Sequence, residues 1–197
     1  MKIRLVLFAV LGIALMASPV AQAAVTHSSA PNAPVAPDNG CTDDTSGNGA
    51  GGISDIIAFV EAGTISDVNV RVEFTQTWRG DIQTALTYTG GGGAVVLANN
   101  HGGSADNYYA TFDSDAAFLC SDATSGCGAA ANCAAAPGPT CQPNQTLNAY
   151  DGLTSPGTWT LTTCDRATGD TGNLVAWEVT VDGDGGLPVD LQGFSVN

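Results

Sequence analysis

Apolar and polar residues alternate along several short stretches of this 197-residue chain. A period of two residues places alternate side chains on opposite faces of a β-strand and leaves one face apolar. Gly, Asn and Asp separate the stretches, as expected of turns. The pattern predicts an all-β protein built as an antiparallel β-sandwich. The residues assigned to its buried faces are Val68, Val70, Val72, Phe74, Trp159, Leu161, Val175, Trp177, Val179 and Val181.

Less regular segments flank and interrupt this pattern. Residues 24–52 are rich in Ala, Pro, Ser, Asn and Gly, which indicates a linker or a loosely ordered arm. Residues 53–186 form the predicted sandwich domain, although its beginning, 52–61, fits either a strand or a single helical turn. Inside it, 120–143 has small side chains and no periodicity, which is typical of an excursion between strands. The apolar residues of the tail, 187–197, could add an edge strand or dock elsewhere.

The first 23 residues have the pattern of a secretory signal peptide. Lys2 and Arg4 precede an apolar run of about 13 residues, which is shorter than the roughly 20 that span a bilayer as a helix. Ala21 and Ala23 then supply the small residues of a cleavage site. We therefore expect a secreted, extracellular or periplasmic protein that is not inserted in a membrane after the signal is removed.

Removal of this segment makes the chain more acidic. The whole chain has a formal net charge of −14. Without residues 1–23 it keeps three arginines (Arg71, Arg79 and Arg166) and no lysine against nineteen acidic side chains, a charge of −16. Nucleic acids and anionic membranes are bound by clustered Lys and Arg. The composition therefore argues against a nucleic-acid partner, and a solvated acidic surface is its simplest meaning.

Six cysteines follow the signal segment, and an even number in an exported chain favours three disulfides. Their spacing contains no CxxC pair and no neighbouring histidine, so a zinc site is a poor alternative. Fifteen pairings are possible, and the sequence does not choose among them. We expect the four cysteines from 120 to 141 to pair locally, and the first one to tie the arm to the domain. The six are Cys41, Cys120, Cys127, Cys133, Cys141 and Cys164.

Four motifs, in matching order and spacing, resemble the proprotein convertase P domain, also called the P/Homo B domain. They are ISDVNV at 65–70 with TQTWRGDI at 75–82, VVLANN at 95–100, TFDSDA at 111–116 and GTWTL at 157–161. The resemblance extends over about residues 53–182. It implies a jelly-roll-like, galactose-binding-like sandwich. In kexin- and subtilisin-type serine proteases this domain packs on the catalytic domain and stabilises it, so a protease is the partner class that the resemblance implies.

Calcium is the sharpest expectation for a site. Calcium takes six to eight oxygen ligands, often from carboxylates. Four aspartates fall in predicted loops or at strand ends, and crowded carboxylates without a cation would repel one another. The resemblance supports the idea because bacterial P domains often carry calcium. The alternative is a set of scattered, solvated acids. The four predicted ligands are Asp81, Asp106, Asp113 and Asp115.

Catalytic constellations are hard to find in this sequence. Its only histidines are His27, in the arm, and His101, in a polar loop; no GxSxG or HExxH motif occurs. Arg79-Gly80-Asp81 could suggest integrin binding, but it coincides with a structural motif of the resemblance. We expect Arg79 to pair with a carboxylate.

The three tryptophans could line a sugar-binding platform. Alternation instead assigns Trp159 and Trp177 to the core, so that Trp78 alone remains available for such a platform.

The sequence therefore favours a secreted, non-catalytic module that binds or stabilises a partner protein, in association with a subtilisin/kexin-type serine protease. The alternative is an extracellular adhesion or glycan-binding sandwich, and a hydrolase is a third hypothesis.

Overall fold

The computed structural model describes residues 24–35, 41, 52–129 and 131–184. The predicted signal peptide (1–23), most of the second half of the arm and the tail (187–197) lie outside the described residues. Among the described residues, no helix has the length and apolar character needed to cross a membrane. The regular elements within these ranges are nine strands and two short 3-10 turns. They are β1 (Val25–Ser29), β2 (Ala33–Pro34), β3 (Ile53–Gln76), β4 (Ile82–Tyr88), β5 (Ala94–Asn99), β6 (Tyr108–Phe112), β7 (Thr140–Cys141), β8 (Thr154–Asp165) and β9 (Gly172–Asp184), with turns at Arg79–Asp81 and Leu147–Tyr150.

The 24-residue strand β3 connects the two halves of the sandwich. Its first part, Ile53 to Phe59, pairs with β8, which in turn pairs with β4, and β4 pairs with β5. Its second part pairs with β9 on one side and β6 on the other, and β1 follows β9. All these pairs are antiparallel; within the described residues, the short β6–β7 pairing and an isolated bridge between Leu119 and Gln142 are parallel. The predicted all-β antiparallel sandwich is confirmed.

The core is formed by the alternate residues that the sequence pattern selects. Val70, Val72 and Phe74 are fully buried, as is Leu161, and Trp159 is 1% exposed. Pairing shifts by one residue between Glu73 and Phe74, so that Leu174 lies opposite Phe74 and is buried while Val175 is only half-buried. This bulge corrects the predicted inward position of Val175. A β-bulge inserts an extra residue into one strand, and alternation in a single strand carries no sign of it.

An aromatic cluster closes one end of the core. The ring of Tyr88 stacks on Trp159 at 4.2 Å between centroids, and Tyr150 meets Trp159 edge-on at 5.0 Å. Both phenol hydroxyls donate hydrogen bonds: the hydroxyl of Tyr88 to the carbonyl of Thr154 at 2.8 Å, and the hydroxyl of Tyr150 to the carbonyl of Leu86 at 2.6 Å. Buried tyrosines stabilise a core only when their hydroxyls find such partners.

The beginning of the predicted arm is part of the sheet. Residues Val25–Ser29 pair with β9 from Val181 to Trp177, and His27 Nε2 donates a 2.9 Å hydrogen bond to the carboxylate of Glu61. The expectation of a linker or loosely ordered arm is therefore wrong for these residues. Their apolar content is low, and the pairing comes from backbone hydrogen bonds along an edge of β9, which periodicity does not reveal.

The cysteines form three disulfides, as predicted. Cys120–Cys141 and Cys127–Cys133 are local, with sequence separations of 21 and 6 residues. The third, Cys41–Cys164, joins the arm to β8 across 123 residues. The four local cysteines have no exposed surface and belong to the hydrophobic core cluster, so the excursion is anchored to the sandwich through sulfur.

Candidate functional site

The four predicted calcium ligands lie at different places in the fold. Asp81 ends the 3-10 turn before β4, Asp106 is exposed in the loop before β6, and Asp113 and Asp115 follow β6. Among the residues that the structure describes, no three His, Cys, Asp or Glu side chains are grouped so that they could hold a metal ion. The structure therefore does not bring the four predicted ligands together in one cluster, and calcium binding stays a prediction.

The acidic side chains instead form two smaller groups, one around Asp67 and one around Asp81, at opposite ends of the strands of the sandwich. Burial, and then the charges of Asp113, Asp182 and Asp115, raises the pKa of Asp67. At the other end, burial and then the charges of Asp165 and Asp170 raise the pKa of Asp81, while Arg166 acts in the opposite direction. Asp67 and Asp182 are paired residues of β3 and β9, and this pairing was not visible in the sequence.

His101 is buried rather than being the polar loop residue that the sequence indicates. Only 3% of its surface is exposed, and its Nδ1 lies 3.1 Å from the hydroxyl of Tyr108. Burial lowers the pKa of His101 to about 4, against a smaller opposing effect of Asn144. The imidazole is therefore neutral at physiological pH and faces the interior of the protein, an environment unlike that of a base that meets a substrate.

Arg79 is also buried, and its partners are backbone carbonyls instead of the predicted carboxylate. Its guanidinium donates to the carbonyl oxygens of Ala129 at 2.9 Å and Asn107 at 3.4 Å, and no ion pair with a carboxylate is found for it among the described residues. The side chain thereby fastens the excursion to the loop before β6. Because Arg79 and Gly80 are buried, the Arg79-Gly80-Asp81 triplet lacks the exposure that an integrin ligand needs.

The tryptophans do not form a common platform. Trp159 and Trp177 are each 1% exposed, as alternation predicts, and the indole of Trp177 donates to Asp55 at 2.6 Å. Trp78 alone is partly accessible, at 44%.

The first part of β3 presents an exposed apolar surface that the sequence analysis did not identify. Ile56 is 60% exposed and Val60 is 80% exposed, whereas Ile57 and Phe59 between them are buried. Directly opposed residues of antiparallel strands point to the same face, so the threonines of β8 opposite this segment join it. We call this surface the neutral face; it consists of Ser54, Ile56, Ala58, Val60, Thr158, Thr160 and Thr162.

The neutral face has no charged member, although the chain has nineteen acidic residues. The two acids within the same segment have partners elsewhere: Asp55 accepts from Trp177, and Glu61 binds His27. The outer surface of the other half contrasts with it, because Arg71 forms ion pairs there with Glu73 and Glu178. A sequence signal did exist, since 56–60 is apolar at both odd and even positions, as expected of a strand with two apolar faces.

Two solved structures resemble this chain at low sequence identity. No family model matches the chain, and no curated protein matches it in sequence. Two solved structures of a serine protease of Aeromonas sobria are similar to it. One is a complex with a chaperone (14% identity, TM-score 0.47, covering 85% of this chain), and the other is the protease itself (15%, 0.46 and 83%). The chain spans 27% of the length of either protease chain. At this level the similarity assigns neither a family nor a function.

Proposed function

We propose that this protein is an exported, non-catalytic module that binds and stabilises a partner protein through the neutral face. The observation that carries the proposal is the exposure of Ile56 and Val60 on a surface without charge. Contiguous apolar surface on a soluble protein is typical of protein interaction sites. Depletion of charge at the centre of the contact is the compositional mark of such interfaces.

The partner class follows from the four motifs that resemble the P domain. That family packs on the catalytic domain of subtilisin/kexin-type serine proteases, and we propose such a protease as the partner of this chain. The disulfides support export, because bonds of this kind persist in oxidising compartments. Cys120–Cys141 and Cys127–Cys133 are buried in the core cluster, where a reductant has little access.

A capture experiment from the secreted fraction of the host tests this proposal. The wild-type chain is compared with the double variant Ile56→Asp/Val60→Asp, and the captured proteins are identified by mass spectrometry. Burial of an Ile or Val side chain contributes about 1.5–3 kcal/mol, so the double variant should retain at least about tenfold less protease. Ala149→Asp is the matched control, because it adds one charge at an exposed position of another element.

The outcomes separate the hypotheses. Equal recovery of the protease by the wild type and the double variant, with both folded, would show that the neutral face is not the interface. Recovery of a glycan or surface ligand in place of a protease would favour the adhesion alternative. Recovery of the protease by Ala149→Asp at the wild-type level shows that the loss is specific to the face.

Calcium binding remains a further proposal for two of the four predicted ligands, Asp113 and Asp115, which both follow β6 and whose charges contribute to raising the pKa of Asp67. Repulsion among these carboxylates would be relieved by a divalent cation whose remaining ligands are carbonyls and water. Millimolar calcium should raise the melting temperature relative to EDTA, and Asp113→Ala should remove most of that difference. Asp81→Ala, at the other end of the strands, should keep it. Identical melting in EDTA and calcium would end the proposal.

A further inference from the structure

A bulge in β3 interrupts its pairing with β8 at the end of the neutral face. The pairing reaches Phe59 and resumes at Gly63. Over the same stretch β8 advances only from Gly157 to Ser155, so three residues of β3 face Pro156 alone. Because proline has no backbone N–H, it donates no hydrogen bond to the bulge. The backbone groups of the bulge therefore depend on partners other than the ladder.

Two side chains supply such partners, and both act at Glu61. The hydroxyl of Ser155 donates to the backbone carbonyl of Glu61 at 2.7 Å. The carboxylate of Glu61 accepts the backbone N–H of Val60 through Oε2 at 3.0 Å. Val60 is 80% exposed, so the packing of its own side chain does little to fix it. Its backbone is held instead by the carboxylate of the next residue.

Strand β1 in turn holds this carboxylate. His27 Nε2 donates to Oε1 of Glu61 at 2.9 Å, and the imidazole ring lies 4.4 Å from the ring of Phe59 between centroids. Phe59 is buried and meets Trp159 edge-on at 6.4 Å, so the imidazole packs on the core. Burial acts to raise the pKa of Glu61, but the hydrogen bonds to its carboxylate, first that from His27, lower the pKa below its usual value. The carboxylate is therefore charged at neutral pH, which strengthens the bonds that it accepts.

We propose that Glu61, held by His27 of β1, positions Val60 in the neutral face and thereby sets the affinity for the partner protein. This inference rests on the proposed function of that face. Ordering a mobile segment on binding opposes association, and a segment that is already ordered avoids this loss. The backbone entropy of one residue corresponds to a roughly five- to thirtyfold change in affinity. His27 and Glu61 act as positioning residues, because neither belongs to the neutral face.

Amide exchange of Val60, followed by NMR on the full mature chain, tests the positioning without any partner. In Glu61→Ala this amide loses its acceptor and should exchange at least about tenfold faster, as expected for a hydrogen bond to a charged group. Glu61→Gln should restore the wild-type rate, because its amide oxygen can accept from Val60 and its NH2 group can donate to a neutral imidazole. Glu178→Ala is the matched control, since it removes a carboxylate from the outer surface of the other half. The amides of β4 show that each variant is folded.

The affinity for the protease that the wild-type chain captures tests the consequence. Glu61→Ala should bind this protease roughly five- to thirtyfold more weakly, whereas Glu61→Gln and Glu178→Ala should bind it as the wild type does. His27→Phe keeps a ring against Phe59 but removes the hydrogen bond, so it should weaken binding in the same direction. Surface plasmon resonance with the purified protease measures all four affinities.

The outcomes distinguish this proposal from the proposed function. A wild-type exchange rate of Val60 in Glu61→Ala would overturn the proposal. Wild-type affinity of Glu61→Ala would also overturn it, if Ile56→Asp/Val60→Asp loses the protease. Equal losses in Glu178→Ala and Glu61→Ala would do the same, because the loss would then follow net charge. Wild-type affinity of His27→Phe, with a loss in Glu61→Ala, would overturn the part assigned to β1.

Failure of the proposed function has a different signature. If no protease is captured, or if Ile56→Asp/Val60→Asp binds it as the wild type does, the proposed function fails and the effect on affinity fails with it. The exchange rate of Val60 in Glu61→Ala still decides whether Glu61 positions that residue.

Discussion

The sandwich and the excursion at 120–143 are stabilised in different ways. In the sandwich, large side chains such as Trp159 and Phe74 are buried between strands and contact one another. In the excursion the buried anchors are cystines, and the loop is positioned by backbone hydrogen bonds, such as Tyr109 N–H to the carbonyl of Cys133 at 3.0 Å. A segment without large apolar side chains can be ordered when covalent links and polar contacts replace burial.

The largest expected effect comes from the aromatic cluster of the sandwich. Trp159→Ala should lower the free energy of unfolding by about 3–5 kcal/mol, because it removes the ring on which Tyr88 stacks and leaves a cavity. Denaturant unfolding followed by circular dichroism measures the change. Trp78→Ala is the control: because Trp78 is 44% exposed, its replacement should lower the free energy of unfolding much less. Equal losses for the two variants would contradict the described core.

The second largest effect should come from the disulfides of the excursion and should show whether the excursion unfolds separately from the sandwich. Replacing Cys120 and Cys141 by Ala should lower the free energy of unfolding by about 3 kcal/mol, because the unfolded chain loses a cross-link that closes a loop of 21 residues. Replacing Cys127 and Cys133 should lower it by about 2 kcal/mol, because the loop is only 6 residues long. Limited proteolysis should then cut within the excursion before any strand is cut. Cleavage that begins in β8 instead would mean that the excursion and the sandwich unfold as one unit.

The sequence predicts much of the sandwich and less of the candidate site. Alternation identifies Val70, Val72 and Leu161 because strand period and burial coincide there. It does not reveal β1, which is held by backbone pairing, or the bulge that moves Leu174 inward. Local pairing of the four cysteines from 120 to 141 was expected from their proximity in the chain, but their pairing as Cys120–Cys141 and Cys127–Cys133 required the fold.

The aspartates show why the site was harder to predict. Asp81 and Asp113 are both at strand ends, but a strand has two ends, and the sequence does not state which ends meet. The register of β3 and β9 places Asp182 opposite Asp67, although the two residues are far apart in the sequence. The neutral face was missed for a related reason: its seven members come from two strands that are about 100 residues apart.

A smaller, pH-dependent effect tests the contact between the two regions at His101. The next residue, Gly102, packs against Arg79 and the carbonyl of Cys127 in the excursion, since a side chain at Gly102 would clash with both. Burial lowers the pKa of His101 from 6.5 to about 4, so the unfolded chain binds a proton more readily than the folded one. The stabilising contribution is complete above pH 6.5 and is lost as the pH falls toward 4. At pH 5 the loss should be about 2 kcal/mol relative to pH 8.

The comparison with His101→Gln isolates this contribution. Aspartates whose pKa is raised, such as Asp67, act in the opposite direction on acidification, but they are present in both proteins. The difference in unfolding free energy between the wild type and His101→Gln should therefore shrink by about 2 kcal/mol from pH 8 to pH 5, as measured by urea titration. A difference that is constant over this range would show that folding leaves the pKa of His101 unchanged, and hence that water reaches the imidazole in the folded protein.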